Sequence, residues 1–204
     1  KLGVKDSKLL TPKQRELIYT KLIKTIKKYK IIKIPPEEID RAVLSVSTNL
    51  NWLEADKMAD IINTLRPDQT IIDCPSNNKR AFAHYLESKI KVKTSLRCEH
   101  KADRDFPVVA AASIIAKVTR DREVNLIKQK IGKEFGSGYP ADELAKKFLK
   151  ENWNKHPEIL LDVENRIVKG ISNTNGNVEI LYDYNPNAFN TYRMRLNIII
   201  KWDS

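Results

Sequence analysis

Two carboxylates and one glycine-rich turn are the residues of this sequence best suited to chemistry. Asp73 closes the apolar run Thr70-Ile71-Ile72 and is followed by Cys74-Pro75. A carboxylate at the C-terminal end of a strand sits where α/β sheets place ligands, although an acid ahead of a proline is also an ordinary turn residue. Asp103 closes Glu99-His100-Lys101-Ala102-Asp103, which follows a strand-like segment and precedes a helix that opens at Pro107. There it can cap a helix or lie beside the positive end of the helix dipole. If the two strands are neighbours, both carboxylates face one spot. Converging carboxylates call for a cation, and oxygen ligands favour Mg²⁺ or Mn²⁺. The turn is Gly136-Ser137-Gly138-Tyr139-Pro140. Glycines let backbone approach a ligand closely, and a tyrosine between them can stack on a base or sugar. The same string also reads as a helix-to-helix turn around a packed tyrosine.

Other polar residues are weaker. His100 is placed to give a proton or meet a phosphate, but it reads equally well as a surface histidine, and His84 and His156 lack ligand spacing. Arg120-Asp121-Arg122-Glu123 reads as a salt-bridged helix face.

The elements that must position these residues follow from local pattern. Thr11-Pro12 opens an amphipathic helix as N-cap and first-turn proline, with Leu17, Ile18, Leu22, Ile26 and Tyr29 near one stripe. A short strand at 30–34 is stopped by Pro35-Pro36, and a helix runs from about Asn51 to Leu65. A strand at 70–73 precedes a helix from about Asn78 to Ser88, then an alternating strand near Val92 to Arg97. The longest helix, from Pro107 to about Ile131, opens with small residues that let it lie close on a sheet. After the glycine-rich turn comes a helix to about Trp153. Alternation of strands and helices predicts an α/β layer fold. From Asn165 the character changes: six asparagines fall between 172 and 190, and two strand-like runs, 178–184 and 191–201, close the chain.

Charge is uneven. The chain has 204 residues and a formal charge of +11, yet residues 1–33 alone hold eleven Lys or Arg against two acids, a net +9. A basic third on a nearly neutral body suits a polyanion, nucleic acid before membrane, although a solvated lysine face accounts for the same count. The apolar stretch Val108 to Ala116 is far short of a membrane span. Two cysteines, Cys74 and Cys98, make neither a metal pattern nor a disulfide framework, so a reducing cytoplasm is expected.

Taken in order, LGVKDSKLLTPKQRE (2–16), IIDCP (71–75), EHKADRDFPVVAAASIIAKVTRDRE (99–123) and GSGYP (136–140) closely resemble ribonuclease HII, in particular its archaeal members, over about residues 1–153. The resemblance implies a ribonuclease H-like mixed sheet flanked by helices, with a C-terminal helical part. It divides the chain into a partial catalytic domain (1–131), a helical segment with the GSGYP loop (132–164) and an atypical asparagine-rich extension (165–204). It implies a monomeric endoribonuclease that cuts the RNA strand of RNA/DNA hybrids and nicks duplex DNA at embedded ribonucleotides, by two-metal hydrolysis with Mg²⁺ or Mn²⁺. By resemblance, Asp73 and Asp103 match the third and fourth of the family's four carboxylates. Tyr139 matches the tyrosine that packs on the sugar at the cleavage junction, with Gly136, Ser137 and Gly138 around it. Lys8, in the Asp-Ser-Lys motif, and Lys101 look like candidates for phosphate contact.

The sequence departs from the family in one respect. The first two family carboxylates form an Asp-Glu pair followed by a Gly-Arg-Gly segment that reads the ribonucleotide, and no Asp-Glu-Ala-Gly-Arg-Gly string occurs in these 204 residues. The sheet is therefore expected to be incomplete at its N-terminal side, and the polypeptide to have little or no nuclease activity by itself. A non-catalytic nucleic-acid-binding relative is the alternative, and a ribosomal-type basic protein with coincidental motifs is disfavoured by the order of the motifs. The extra C-terminal runs prompt a further expectation, that they fill sheet positions left by missing strands, with Asp203 standing in for a lost carboxylate.

Overall fold

The structure is a computed structural model and describes residues 10–139, 142–152 and 196–201. The chain divides into two compact units, one of Lys1–Ile34, Ser45–Arg120 and Arg195–Ser204, the other of Pro35–Leu44 and Asp121–Met194.

The first unit starts with α1 (Pro12–Thr25), whose N-terminus is a reciprocal capping box: Gln14 N–H donates to Thr11 Oγ1 and Thr11 N–H to Gln14 Oε1. Strand β1 (Lys28–Lys33) follows, and later α3 (Leu50–Leu65), β2 (Gln69–Asp73), α4 (Lys79–Lys89) and β3 (Ser95–Glu99). A four-residue helix α5 (Ala102–Asp105) precedes α6 (Pro107–Ile131), of which residues 107–120 belong to this unit. Strand β4 (Leu196–Lys201) pairs antiparallel with β1, while β2 and β3 pair in parallel. With both senses of pairing and helices around them, the class is the mixed α/β arrangement expected.

Alternation along β1 shows where the layers lie. Ile31 packs on Leu22 of α1 and Ile26, the residue after that helix, with Ala111, Ile114 and Ile115 of α6. Its neighbour Ile32 packs on the other cluster, Met58, Ile61 and Ile62 of α3 with Ile72, Phe82 and Leu86. Successive strand residues point to opposite faces, so helices cover β1 on both sides. In the second cluster Trp52 lies 4.4 Å from Tyr85 between ring centroids. Ala110, Ala111 and Ala112 are buried, as expected of a helix seated through small side chains.

The second unit contains α2 (Pro36–Leu44), residues 121–131 of α6, the glycine-rich turn and α7 (Glu143–Asn152). Its turn is anchored by Phe135, which is buried 5.1 Å from the Phe148 ring, and by Lys133 Nζ donating to buried Asn152 at 2.7 Å.

Several details differ from expectation. Helix α1 ends at Thr25, so Tyr29, expected on its stripe, lies instead in β1, which starts at Lys28 rather than 30. The Pro35-Pro36 pair does not simply end a strand, because Pro36 starts α2, and a proline suits the first helical position. Strand β3 lies at 95–99 rather than 92–97, since the ladder with β2 fixes its register from Gln69↔Ser95 to Asp73↔Glu99. Leu17 is 59% exposed: five residues from Leu22, it sits about 140° round the helix from the buried stripe. Of the two C-terminal runs, 191–201 supplies β4, whereas 178–184 and Asp203 lie outside the described residues.

Candidate active site

The carboxylate-bearing strands are neighbours. Asp73, the last residue of β2, stands in register with Glu99, the last of β3, and beyond it Cys74 N–H donates to Glu99 O at 2.8 Å. The chain then turns sharply at Lys101, which has φ 58° and ψ 33°. A lysine in the left-handed region is strained, a conformation held only where surrounding structure requires it. The turn aims Ala102 N–H back at β2, where it donates to Asp73 Oδ1 at 3.0 Å. Asp103 follows as the second residue of α5 and is 5% exposed. One backbone amide thus joins the strand end carrying Asp73 to the turn carrying Asp103.

This geometry changes the reading of Asp103 as a helix cap. The N-cap of α5 is Lys101, and α6 starts only after Phe106. Lys101 itself is exposed and so is His100. Lys8 and His156 lie outside the described residues.

Sequence reasoning missed the charged frame beside Asp73. Glu99 accepts from Lys79 Nζ at 2.9 Å and from Arg97 Nε at 3.1 Å. Lys79 first, then Arg97, holds the Glu99 carboxyl below the usual range by stabilising its anion. The Arg97 guanidinium lies 4.8 Å from the Phe106 ring centroid, over the residue that ends α5. Behind the sheet Cys98 is pushed up to about 12, chiefly by burial, and Cys74 upward also by burial, so neither thiol is poised as a nucleophile. Spacing alone gives no signal for contacts such as Arg97 on Phe106.

Asp73 and Asp103 offer the hard oxygen donors that suit Mg²⁺ or Mn²⁺. Among the described residues, however, no group of three His, Cys, Asp or Glu is arranged to hold a metal. The two carboxylates therefore do not make a complete cation site.

The glycine-rich turn belongs to the second unit. Gly136 and Gly138 have φ of 74° and 70°. A Cβ on Gly136 would also stand 2.5 Å from the Asp142 carboxylate, so glycine is needed there on both counts. Asp142 is the other residue that sequence reasoning passed over, although an Asp directly before a helix is an N-cap signal. Its Oδ2 accepts from both Ser137 N–H and Ser137 Oγ at 2.6 Å, and its Oδ1 from Leu144 N–H at 2.9 Å. Tyr139 is 37% exposed, which is not the packed tyrosine of an ordinary turn. The four positions 136–139 expected to act together are contiguous and braced by two carboxylates, Glu134 at Gly136 and Asp142 at Ser137.

Among the described residues no helix is long and apolar enough to cross a membrane. The ribonuclease HII family model matches residues 1–162. Ribonuclease HII of Pyrococcus horikoshii is 43% identical over 157 residues, covering 76% of this chain and 69% of that protein. Ribonuclease HII of Nanoarchaeum equitans is 43% identical over 156 residues, with 74% and 72% covered. Among solved structures, the ribonuclease H2 of Pyrococcus horikoshii OT3 superposes with a TM-score of 0.68 at 35% identity, covering 95% of this chain and 83% of the other. A chain in the PCNA:RNase HII complex from Archaeoglobus fulgidus gives 0.66 at 37% identity, with 74% and 71% covered. The residues matched by the family model carry Asp73, Asp103 and the GSGYP turn, and the chain belongs to the ribonuclease HII family.

Proposed function

We propose that this chain carries part of the cleavage site and part of the substrate-reading surface of an enzyme that hydrolyses the RNA strand of RNA/DNA hybrids and nicks duplex DNA at embedded ribonucleotides. The family relation supports a ribonuclease acting on RNA and DNA, and family enzymes of this type are metal-dependent. In this reading Asp73 and Asp103 are two of the carboxylates that hold Mg²⁺ or Mn²⁺, which would supply activation of water and stabilisation of the leaving oxygen. The observation that carries it is the Ala102 amide bound to Asp73 Oδ1, which ties Asp73 to the turn bearing Asp103. That hydrogen bond fixes one oxygen of Asp73 and orients the carboxylate.

The chain's own residues then have distinct tasks. Lys101, exposed on its left-handed turn, meets a substrate phosphate, as does Lys8. Tyr139, presented by Gly136, Ser137 and Gly138, lies against the sugar at the cleavage junction. Discrimination of RNA from DNA needs a group that reads the 2′-OH, a role the resemblance gives to the Gly-Arg-Gly segment. The lysines of α1 are exposed and supply steering and salt-sensitive affinity rather than specific contacts. The enzyme acts as a monomer in a reducing cytoplasm.

Two carboxylates compensate Mg²⁺ poorly for its lost hydration, so the 204-residue polypeptide by itself binds its nucleic acid and cleaves little or not at all. The test is a nicking assay on duplex DNA with a single ribonucleotide. The 204-residue chain should leave it intact, whereas a version preceded by a strand ending Asp-Glu-Ala-Gly-Arg-Gly should nick it. Efficient Mg²⁺-dependent cleavage by the 204 residues alone would overturn the incomplete-site account.

A further inference from the structure

We propose that Asp142 is the positioning residue for Tyr139: it holds the turn in the conformation that presents the tyrosine ring to nucleic acid. The inference rests on the reading of Tyr139 as a substrate-stacking residue and assigns a role to a side chain outside the GSGYP string.

Asp142 does two jobs with its two oxygens. Oδ1 caps α7 by accepting Leu144 N–H, as an N-cap aspartate does. Oδ2 reaches back five residues and accepts both donors of Ser137, its N–H and its Oγ. Ser137 Oγ in turn lies 3.4 Å from Tyr139 N–H, and Asp142 N–H donates to Tyr139 O at 2.9 Å. Tyr139 is thus held on its backbone from both sides, directly and through Ser137, by one residue. The other end of the turn is fixed separately, by Glu134 Oε1 accepting Gly136 N–H at 2.9 Å. Gly136 is the residue whose missing Cβ makes room for the Asp142 carboxylate. The hydrogen bonds from Ser137 also keep Asp142 ionised, holding its carboxyl down to about 2, so the brace is intact throughout the neutral range.

The double role makes the test specific. Asp142→Ser keeps an N-cap, because serine caps helices as well as aspartate does, but its single oxygen cannot also reach Ser137. Asp142→Ala removes both functions. The 204-residue chain is titrated into a fluorescently labelled DNA duplex carrying one ribonucleotide, and Ser137 amide exchange is followed by NMR on the free protein. Tyr139→Ala should weaken binding about tenfold, the scale of one stacking contact. Asp142→Ser should lower the melting temperature less than Asp142→Ala does, speed Ser137 exchange and weaken binding roughly threefold or more. In the Tyr139→Ala background it should change affinity no further. Asp142→Ala should show the same binding loss and a lower melting temperature.

Unchanged Ser137 exchange, unchanged affinity in Asp142→Ser, or an equal loss of affinity with and without Tyr139 would each overturn the positioning role. If Tyr139→Ala itself leaves affinity unchanged, the substrate role of Tyr139 fails, and this inference with it.

Discussion

The strand-end site of the first unit and the glycine-rich turn of the second use the same device with its parts exchanged. In the first, a backbone amide, Ala102 N–H, holds the carboxylate proposed to bind the cation, Asp73. In the second, a carboxylate, Asp142, holds the backbone and hydroxyl donors of Ser137, beside the ring proposed to meet the substrate sugar. The strain is distributed differently as well. The first unit places a lysine at φ 58°, while the second uses glycines at φ 74° and 70°. Lysine in that conformation costs about 1–2 kcal/mol, and the side chain it carries must justify the cost, whereas glycine reaches it freely. The strained lysine is also the one proposed to meet a substrate phosphate, and in that reading it serves both backbone geometry and binding.

The largest effect is expected at Asp73 and Asp103. In a protein supplied with the Asp-Glu-Ala-Gly-Arg-Gly strand, Asp73→Asn or Asp103→Asn should reduce nicking of a single-ribonucleotide duplex to background, while circular dichroism stays unchanged. Asp73→Asn keeps an oxygen for Ala102 N–H, so its loss of activity would come from charge and not from the turn. If either variant nicks at the parent rate, that residue is not a metal ligand.

A smaller effect separates two left-handed glycines. Gly136→Ala meets both an unfavourable φ and the Asp142 carboxylate at 2.5 Å, and should cost about 2–3 kcal/mol in urea denaturation. Gly132, with φ 70° and nothing within 4 Å of a Cβ, should lose only about 1 kcal/mol as alanine. Equal costs would mean that the Asp142 carboxylate does not fill the space beside Gly136.

Acid should distinguish the brace from its surroundings. The Asp142 carboxyl is depressed to about 2 in the folded chain, against about 3.9 when unfolded. A depressed folded value contributes stability above the unfolded value, and that contribution is lost as pH falls from about 4 towards 2. Asp142→Ser should therefore flatten the stability profile in that window and leave it parallel to the parent above pH 5. A profile that keeps its full slope in the variant would assign the acid sensitivity to other carboxylates, Glu99 among them.

The smallest effect is at Lys101. Glycine relieves the left-handed strain but gains entropy in the unfolded chain, so Lys101→Gly should change stability by less than about 1 kcal/mol. Binding of a hybrid duplex should nevertheless weaken, with a shallower salt dependence by one phosphate contact. A loss of stability without a loss of affinity would make Lys101 purely structural.

How much of this could be read from the residues varies with what fixes each element. Helix α6 is legible end to end, because Pro107 starts it and Gly132, with its left-handed φ, follows its last residue. Asp73 is legible as a strand end because an apolar run stops on it. Strand β3 is misplaced by three residues at its start, since Val92-Lys93-Thr94 alternates as well as the true strand and only pairing with β2 decides. Helix α2 hides behind a proline pair that reads as a stop. The left-handed Lys101 and the Arg97–Phe106 contact carry no local signal at all, because lysine there is imposed by packing around it. Asp142 was legible in principle as a helix cap, but its reach to Ser137 depends on a glycine conformation that spacing does not reveal.

The proposed pairing of Asp73 and Asp103 in one cation-binding spot joined through Ala102 is tested directly by titrating Mn²⁺ into the isotopically labelled 204-residue chain, because a bound paramagnetic ion broadens nearby amide signals. Broadening should centre on Asp73, Ala102 and Asp103, appear only at high Mn²⁺ as befits two carboxylates, and vanish in Asp73→Asn. Broadening centred elsewhere, or none at these residues at millimolar Mn²⁺, would contradict it.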